Sequence, residues 1–342
     1  MPAPVSIVIP TWNGRHLLET FLPSVLDAAA GYARHASIEV VVVDDGSTDG
    51  TREWLAVQSA SVPLRAVRLE VNAGFGRACN RGVEEARNAL VYLVNNDVEM
   101  NGDVLPLLAR AFEEGDDRLF AVHTRMRDLE TNRDVGTGKM GGFSRGFLRV
   151  HRSYVPAGRS NGPFWSMFAS GGSAMFHRGR YLELGGFDPL FAPFYFEDVE
   201  LSYRAWKRGF AVAYEPASVV SHKFSSTIGA LAGARVAATS HRNRLILHWI
   251  HLEDRGYLSA HLLWVAILTV AAPLTFRFSF LQGLWQATKT LPAIRARRRD
   301  ERRKAVRSDR QVLEIFREMR TAGTVQAYDD PREVGITSDP IG

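Results

Sequence analysis

Four short apolar runs in the first hundred residues, each followed at once by polar residues, constrain the fold more than any other feature of this sequence. They alternate with helix-like segments, and that alternation is typical of repeated βαβ units. Because the runs are mostly apolar throughout, both faces of each strand should be covered, as in a parallel sheet between helix layers. The predicted strands cover 5–10, 38–43, 64–69 and 90–94.

Apolar residues at helical spacing fill the gaps between these strands and continue beyond them. The predicted helices cover 14–30, 74–87, 177–184 and 196–208, with a further strand at 169–176. Between the two halves, the stretch 125–162 is rich in Gly, Arg, Ser and Asn and has no clear period. We predict irregular strands and mobile loops over a site there.

The composition is that of an ordinary globular protein. Hydrophobic residues make up 46% and charged residues 23% of the 342 residues, which excludes collagen-like, disulfide-scaffold and wholly disordered chains. The single cysteine, Cys79, cannot form an internal disulfide, and no secretory leader precedes the first strand, so we expect a reducing cytoplasm. We predict an α/β domain at 1–225, a helical segment, apolar then basic, at 226–310, and a C-terminal helix with a loose tail at 311–342.

Polar residues follow each of the four predicted strands. In an open parallel sheet, ligands bind outside the carboxyl ends of the strands, where loops and helix N-termini converge. Four consecutive strands that deliver polar loops to one edge therefore predict a nucleotide-sized site. The clusters are 11–13, 44–45, 72–76 and 95–99.

The order and spacing of these clusters resembles the signature of family 2 glycosyltransferases, especially bacterial cell-envelope glycan transferases such as rhamnosyltransferases. The resemblance covers about residues 5–225 and implies the GT-A fold, with a mostly parallel sheet between helices. Its motifs are Pro10-Thr11-Trp12-Asn13, Val43-Asp44-Asp45-Gly46-Ser47, Asn72-Ala73-Gly74-Phe75-Gly76 with Asn80 and Gly82, Asn95-Asn96-Asp97-Val98-Glu99, and Gly185-Gly186-Phe187-Asp188 with Glu197-Asp198.

The resemblance implies that Thr11 and one of Asp44 and Asp45 bind the nucleoside of a nucleotide-diphosphate sugar. A carboxylate accepting from a base imide or a ribose hydroxyl would give that selectivity. The alternative is that the two aspartates only form an Asx turn and cap the next helix. Other residues expected to bind the donor are Pro10, Asn13, Asn72, Gly74, Asn80, Asn96 and Gly172.

Asp97 occupies the last position of the family's Asp-x-Asp motif, and the resemblance implies that it holds a divalent ion, Mn²⁺ or Mg²⁺, against the two phosphates. Asn95 replaces the first Asp and offers only a neutral oxygen, while Glu99 could supplement the charge. His222 matches a histidine that many members place on the metal. The alternatives are a polar turn at the strand end and a structural histidine.

Asp198, at the start of the predicted helix 196–208, is by resemblance the general base of an inverting displacement. Such a reaction needs one base opposite the leaving group and no enzyme nucleophile. The helix dipole lowers the basicity of a carboxylate there, whereas burial or the neighbouring Glu197 could raise it. The alternative is that both residues only supply acidity at a helix N-terminus.

The C-terminal third carries an apolar stretch followed by a basic one. Residues 256–276 contain no Asp, Glu, Lys or Arg, and 289–310 contains ten basic and three acidic residues, +7 against +5 for the whole chain. The apolar stretch is just long enough to span a bilayer. A span would, however, export the basic segment, against the positive-inside tendency.

We therefore predict helices at 258–272 and 276–287, broken at Pro273, that lie in the inner leaflet while 295–304 binds anionic headgroups. A buried helical core, a homodimer interface and a true span are the alternatives. The basic segment has no interleaved aromatic residues, so nucleic acid is not expected as a partner.

Taken together, these features predict an inverting, metal-dependent glycosyltransferase at the inner face of the cell membrane. Its partners would be a nucleotide-diphosphate sugar, a glycan or lipid-linked acceptor and an anionic membrane surface. The chain lacks the Gln-x-x-Arg-Trp motif of processive synthases, which favours limited addition. A non-catalytic nucleotide-sugar-binding or scaffold protein is the alternative, and a dehydrogenase is disfavoured because no Gly-x-Gly-x-x-Gly follows the first strand.

Overall fold

The computed structural model of this chain describes residues 2–157, 164–223 and 233–328. The strands are β1 Val5–Thr11, β2 Ile38–Asp44, β3 Leu64–Arg68, β4 Leu90–Val94, β5 Val98–Met100, β6 Leu119–Asp128, β7 Asp134–Gly136, β8 Gly138–Ser144, β9 Phe147–Pro156, β10 Phe164–Trp165, β11 Ser173–His177, β12 Ala211–His222 and β13 Val325–Tyr328. The α-helices are α1 Arg15–Ala33, α2 Thr51–Ala56, α3 Phe75–Glu85, α4 Val104–Glu114, α5 Arg178–Leu184, α6 Glu197–Lys207, α7 Gly233–His251, α8 Arg255–Leu274, α9 Phe278–Lys289, α10 Leu291–Lys304 and α11 Asp309–Thr321, and a 3₁₀ turn covers Pro189–Phe191.

The central sheet has the strand order β10-β12-β6-β11-β4-β1-β2-β3, with β5 beside β12 and β7 beside β6. β1 runs parallel to β2 and β4, β2 to β3, and β6 to β12. β11 is antiparallel to both of its neighbours. The predicted α/β fold with a mostly parallel sheet is therefore confirmed.

Both faces of the sheet are buried at β1, β2 and β4, as the apolar runs predict, whereas β3 at the sheet edge is partly exposed. Val8 and Leu93 face one hydrophobic core, whereas Ile7 and Tyr92 face the other. Helix α3 packs so closely on the first of these faces that a Cβ at Gly82 would lie 2.2 Å from Val8 Cγ1. This close approach holds the N-terminal end of α3 at the carboxyl edge of the sheet.

The glycine-rich stretch after residue 125 contains more regular structure than its sequence indicates. β6 continues to Asp128, and β8 and β9 form a second sheet with β13. Its glycines permit close packing: a Cβ at Gly138 would lie 2.2 Å from the Tyr154 ring, and one at Gly141 would lie 2.6 Å from that of Phe316. The predicted strands are thus present in the described part of 125–162, with register shifts at Met126–Arg127 and Met140–Gly142, but they are longer and more regular than expected. Residues 158–162 lie outside the described part.

Another predicted boundary also differs. Strand β11 begins at Ser173, because Gly171 and Gly172 form a turn where an extended strand was predicted. β12 extends to His222, past a bulge between Glu215 and Val219. The predicted boundary at 225–226 and the end of the predicted tail, 329–342, lie outside the described residues.

A buried ionic network fastens the C-terminal helices to the α/β domain. Arg204 Nη2 lies 2.7 Å from Glu200 Oε2, and both side chains are fully buried on α6. The other oxygen of Glu200 lies 2.8 Å from His251 Nε2 on α7. Burial opposes ionisation of Glu200, but Arg204 and His251 outweigh it and lower the pKa of Glu200 to about 2. The network therefore joins the two regions through an ionised carboxylate.

Glu200→Ala should lower the free energy of unfolding by about 3–5 kcal/mol, because it leaves Arg204 buried without its carboxylate. Urea denaturation would measure the change. The control is Glu114→Ala, which removes an exposed pair with Arg110 and should cost less than about 1 kcal/mol. Equal losses in the two variants would contradict this account of the network.

Candidate active site

The carboxyl ends of β1, β2 and β4 bring the predicted donor-binding residues to one edge of the sheet. Thr11 is paired with Asp44 in the β1–β2 register. Asn96, just after β4, donates from Nδ2 to Thr11 Oγ1 at 2.8 Å. A Cβ at Gly14 would lie 2.3 Å from Asn96 Nδ2, so this contact requires a glycine. Sequence reasoning overlooked Gly14, although it directly follows the first motif.

The two aspartates at the end of β2 have different roles. Both oxygens of Asp45 accept backbone N–H bonds, from Ala73 at 2.8 Å and from Gly74 at 2.9 Å. Burial raises the pKa of Asp45 in spite of those two bonds. Asp45 therefore fixes the loop before α3. This loop carries the exposed Asn72 and ends at Gly74, the residue before the helix, with φ 91°.

Asp44 keeps one carboxylate oxygen available to a ligand. Its Oδ1 accepts from the N–H of Ser47 at 2.9 Å, which is the turn-forming bond of the alternative interpretation. Its Oδ2 is buried and has no hydrogen-bond partner among the described residues. Since buried acceptors are normally satisfied, this oxygen is available to a ligand, whereas both oxygens of Asp45 already accept backbone N–H bonds.

Asn13 and Asn80 use their side chains to hold the protein's own loops. Asn13 adopts φ 48°. Its side-chain Oδ1 accepts from Thr48 N at 2.8 Å, and its backbone N–H donates to Ser47 Oγ at 2.9 Å. Asn80 Oδ1 accepts from Tyr181 Oη and Phe187 N, each at 2.8 Å. Asn80 therefore fastens α3 to the turn of the Gly-Gly-Phe-Asp motif. Pro10 lies within β1, opposite Val43.

Asp97 and His222 meet between β4 and the end of β12. Asp97 Oδ1 lies 3.1 Å from His222 Nε2, and both side chains are largely buried. His222 is directly opposite Val98 in the β5–β12 pair, whereas Glu99 is opposite Ser221. Since neighbouring residues on a strand point to opposite faces, the structure does not bring Glu99 to the face of His222.

Asp97 and His222 are neighbouring side chains of types that could ligate a metal ion. Within 2–157, 164–223 and 233–328, no three His, Cys, Asp or Glu side chains are grouped to hold an ion. Mg²⁺ and similar ions, however, usually take one or two protein ligands and complete their shell with phosphate oxygens and water. The Asp97–His222 pair fits that pattern. The buried Oδ1 of Asn95, which has no hydrogen-bond partner there, is a further neutral oxygen at the same edge.

Glu197 and Asp198 begin α6 after two residues in the left-handed region, Tyr195 and Phe196, with φ 71° and 70°. Such a conformation costs non-glycine residues on the order of 1–3 kcal/mol each and clusters at functional sites. Asp198 accepts from Val199 N at 2.8 Å and from Gly171 N at 3.3 Å. The strained entry therefore sets the direction of both carboxylates.

Burial raises the pKa of Asp198, in spite of the backbone N–H groups that favour its ionised form. It also raises the pKa of Glu197, and the neighbouring charge of Asp198 raises that pKa further. Desolvation thus exceeds the opposing effect of the helix dipole. A carboxylate with a raised pKa is a better proton acceptor than an exposed aspartate.

The turn at Gly171 and Gly172 brings the end of β4 and the start of α6 together. The N–H of Asn95 donates to Gly172 O at 3.0 Å, and the N–H of Gly171 donates to Asp198. A Cβ at Gly172 would lie 3.0 Å from Asn95 Nδ2. Two adjacent residues therefore contact both the strand end that carries Asp97 and the helix that carries Asp198.

A small cleft lies between α3 and the loop before α6. Its walls include Gly74, Arg77, Pro193 and Glu197. The loop that Asp45 fixes and the start of α6 thus face each other across it. Hydrogen bonds connect the other predicted residues, from Asn96 to Thr11, from Asn95 to Gly172 and from Gly171 to Asp198.

Comparison with known proteins identifies the family. The family model for glycosyl transferase family 2 matches residues 6–185. The dolichol-phosphate mannosyltransferase of Pyrococcus furiosus is 33% identical over 113 residues, which are 33% of this chain and 31% of that protein. The undecaprenyl-phosphate 4-deoxy-4-formamido-L-arabinose transferase of Pseudomonas savastanoi pv. phaseolicola is 33% identical over 126 residues, 36% of this chain and 37% of that protein.

The alignments span about a third of the length of these curated relatives. Among solved structures, GalNAc-T7 with UDP, GalNAc and Mn²⁺ superposes with a TM-score of 0.58 at 18% identity, over 74% of this chain and 49% of that one. At this identity the likeness shows the fold alone, which is GT-A. Because the family model covers more than half of the sequence, this chain belongs to glycosyltransferase family 2.

Proposed function

We propose that this glycosyltransferase moves a sugar from a nucleotide-diphosphate donor, with inversion, to a hydroxyl of a lipid-linked cell-envelope glycan at the inner face of the cell membrane. The observation that carries the proposal is the Gly171–Gly172 turn, which contacts both the β4 end and Asp198. An inverting transfer needs the leaving diphosphate and the base on either side of one sugar.

The donor would lie along the carboxyl edge of the sheet. Asp44 Oδ2 and Thr11 would bind the nucleoside, since they lie side by side and Asp44 Oδ2 has no partner among the described residues. Asn96 orients Thr11. The remaining predicted residues shape the walls of this site: Pro10, Asn13, Asn72, Gly74, Asn80 and Gly172. The UDP in the GalNAc-T7 structure supports a nucleotide at this edge.

Asp97 and His222 would hold the divalent ion, with Asn95 beside them. When bound, Mn²⁺ or Mg²⁺ would neutralise the negative charge that develops on the leaving diphosphate. Mn²⁺ in the GalNAc-T7 structure supports a metal for this fold. Glu99 lies on the other strand face and is left out of the proposed ligand set.

Asp198 would act as the general base. The acceptor oxygen forms a bond to the anomeric carbon as the bond from that carbon to the diphosphate oxygen breaks. The acceptor proton passes to Asp198, and the nucleoside diphosphate leaves. Glu197, which is adjacent and half-buried, would help to exclude water from Asp198.

Asp198→Asn should lower transfer by about 10²–10⁴-fold, because the amide cannot accept the proton, while donor binding stays at the wild-type level. Transfer is measured as nucleoside diphosphate release, after a thermal-shift screen with UDP-, GDP- and dTDP-sugars and Mn²⁺ has selected the donor. Asp27→Asn, at an exposed position of α1, is the control. Retained transfer in Asp198→Asn would remove the assignment of the base.

A lipid-linked acceptor is proposed because an apolar surface is exposed on the C-terminal helices. Among the described helices, α8 is long and apolar enough to cross a membrane, and 11% of its most apolar window is buried. Pro273 lies in the last turn of α8, so the predicted break falls at the end of this helix. The large exposed apolar side chains on and after α8 are Leu262, Leu263, Ile267, Val270, Leu274, Phe276, Phe278 and Trp285.

We propose that this apolar surface lies in the inner leaflet. Lys289 Nζ sits 3.3 Å from the centre of the Trp285 ring, a pairing suited to the headgroup region. Both curated relatives carry a polyprenyl phosphate in their names, which supports an acceptor presented by a membrane. A homodimer through the same surface is the alternative.

The basic segment is only partly available to headgroups. Arg297 pairs with Asp188 at 2.9 Å, and Arg298 donates to the carbonyl oxygens of Trp249 and Leu252. These two arginines fasten α10 to the rest of the protein. The exposed cations of 295–304 are Arg295, Arg299, Arg302, Arg303 and Lys304, and they form the proposed headgroup contacts.

Leu263→Glu combined with Val270→Glu should weaken binding to phosphatidylglycerol vesicles by at least about tenfold, because it places charge on the apolar surface of α8. Vesicle sedimentation measures the binding. Val57→Glu, at an exposed position of the α/β domain, is the control and should bind as wild type does. A soluble dimer that the double substitution splits, without vesicle binding, would favour the dimer interface instead.

A further inference from the structure

Two residues of α7 hold the loop that leads into α6. Arg242 Nη1 donates to Ala192 O at 2.8 Å, and Arg242 Nη2 donates to Leu190 O at 3.0 Å. Asn243 Nδ2 lies within hydrogen-bond distance of three more carbonyl oxygens of the same loop, those of Phe191 at 2.7 Å, Phe194 at 3.0 Å and Tyr195 at 2.8 Å. A helix outside the α/β domain thus binds five carbonyl groups of one short loop.

The orientation of the Asn243 amide is fixed by its neighbour. Arg242 Nη1 also donates to Asn243 Oδ1 at 2.8 Å. This bond requires the oxygen to face the guanidinium, so the two N–H donors face the loop, where one of them must be shared between two carbonyls. The reversed amide would set an oxygen against three carbonyl oxygens. Asn243 is fully buried, so water cannot replace it.

The carbonyls bound by Asn243 immediately precede the carboxylate pair. Tyr195, whose oxygen it binds, and Phe196 both have positive φ, and the next two residues are Glu197 and Asp198. A strained conformation of this kind persists only when the surrounding structure fixes it. The first residue of the loop is held independently, through the Asp188–Arg297 pair from α10.

We infer that Asn243, oriented by Arg242, is a positioning residue that sets the direction of Asp198 toward the acceptor hydroxyl. The inference rests on the proposed function, because it takes Asp198 as the base. Neither residue lies in the part of the chain that the family model matches, which ends at 185. The α7 helix thus contributes to the proposed active site through the loop before α6.

Asn243→Ala should lower kcat by about ten- to a hundredfold, because a base displaced by about 1 Å loses that much, and leave KM for the donor unchanged. The reaction is hydrolysis, by water as acceptor, of the nucleotide sugar that the donor screen selects, with Mn²⁺. Asn243→Ser, which keeps one donor, should recover part of the lost kcat. It also serves as the folded variant if Asn243→Ala does not fold.

The matched control is Asn88→Ala. Asn88 Nδ2 likewise donates to a backbone carbonyl, that of Val5 at 2.7 Å, but at the opposite edge of the sheet. This variant should lose stability and keep its kcat. A kcat for folded Asn243→Ala or Asn243→Ser equal to that of Asn88→Ala would overturn the inference. A wild type whose hydrolysis is unaffected by Asp198→Asn would instead overturn the proposed function.

Discussion

Two hydrogen bonds of one glycine turn determine how the proposed catalytic groups are arranged. Gly172 accepts from the backbone at the end of β4, and Gly171 donates to the carboxylate at the start of α6. The sheet places polar groups at its carboxyl edge, as any open parallel sheet does, but it does not bring α6 there. The turn does, and a side chain at Gly172 would press on Asn95. The distance between the proposed diphosphate site and the proposed base therefore depends on this backbone contact.

The C-terminal helices take part in the same arrangement from the other side. His251 on α7 completes the ion pair inside α6, and Asn243 on α7 holds the loop before it. α9 lies close to this part of α7, since a Cβ at Gly283 would be 2.9 Å from the backbone nitrogen of Arg242. One continuous set of packed helices thus connects the exposed apolar surface to the start of α6. In the proposed arrangement, these helices would link the membrane-bound surface, where the acceptor lies, to the position of Asp198.

The sequence predicted the helices and strands that are defined by local hydrophobic periodicity and by polar residues at their ends. Apolar runs located β1 to β4, and the polar residues after them located the site edge, because parallel strands necessarily share that edge. It did not predict the second sheet, because glycines in a sequence indicate turns. In the structure, Gly138 instead allows close contact with Tyr154. Nor could it distinguish Asp44 from Asp45, because their hydrogen bonding depends on a tertiary contact. The backbone N–H groups of Ala73 and Gly74 donate to Asp45. The sequence also gave no indication of the role inferred for Asn243. That role depends on tertiary contacts, and a single asparagine in a helix carries no local signal of them.

The central claim is that one donor and one divalent ion share the edge formed by the ends of β1, β2 and β4. Calorimetric titration of the selected nucleotide sugar, with and without Mn²⁺, into wild type and Asp97→Ala tests it most directly. Mn²⁺ should tighten donor binding to wild type, and Asp97→Ala should lose this effect by more than about tenfold while its metal-free donor binding is unchanged. An equal Mn²⁺ effect in both proteins would contradict the account.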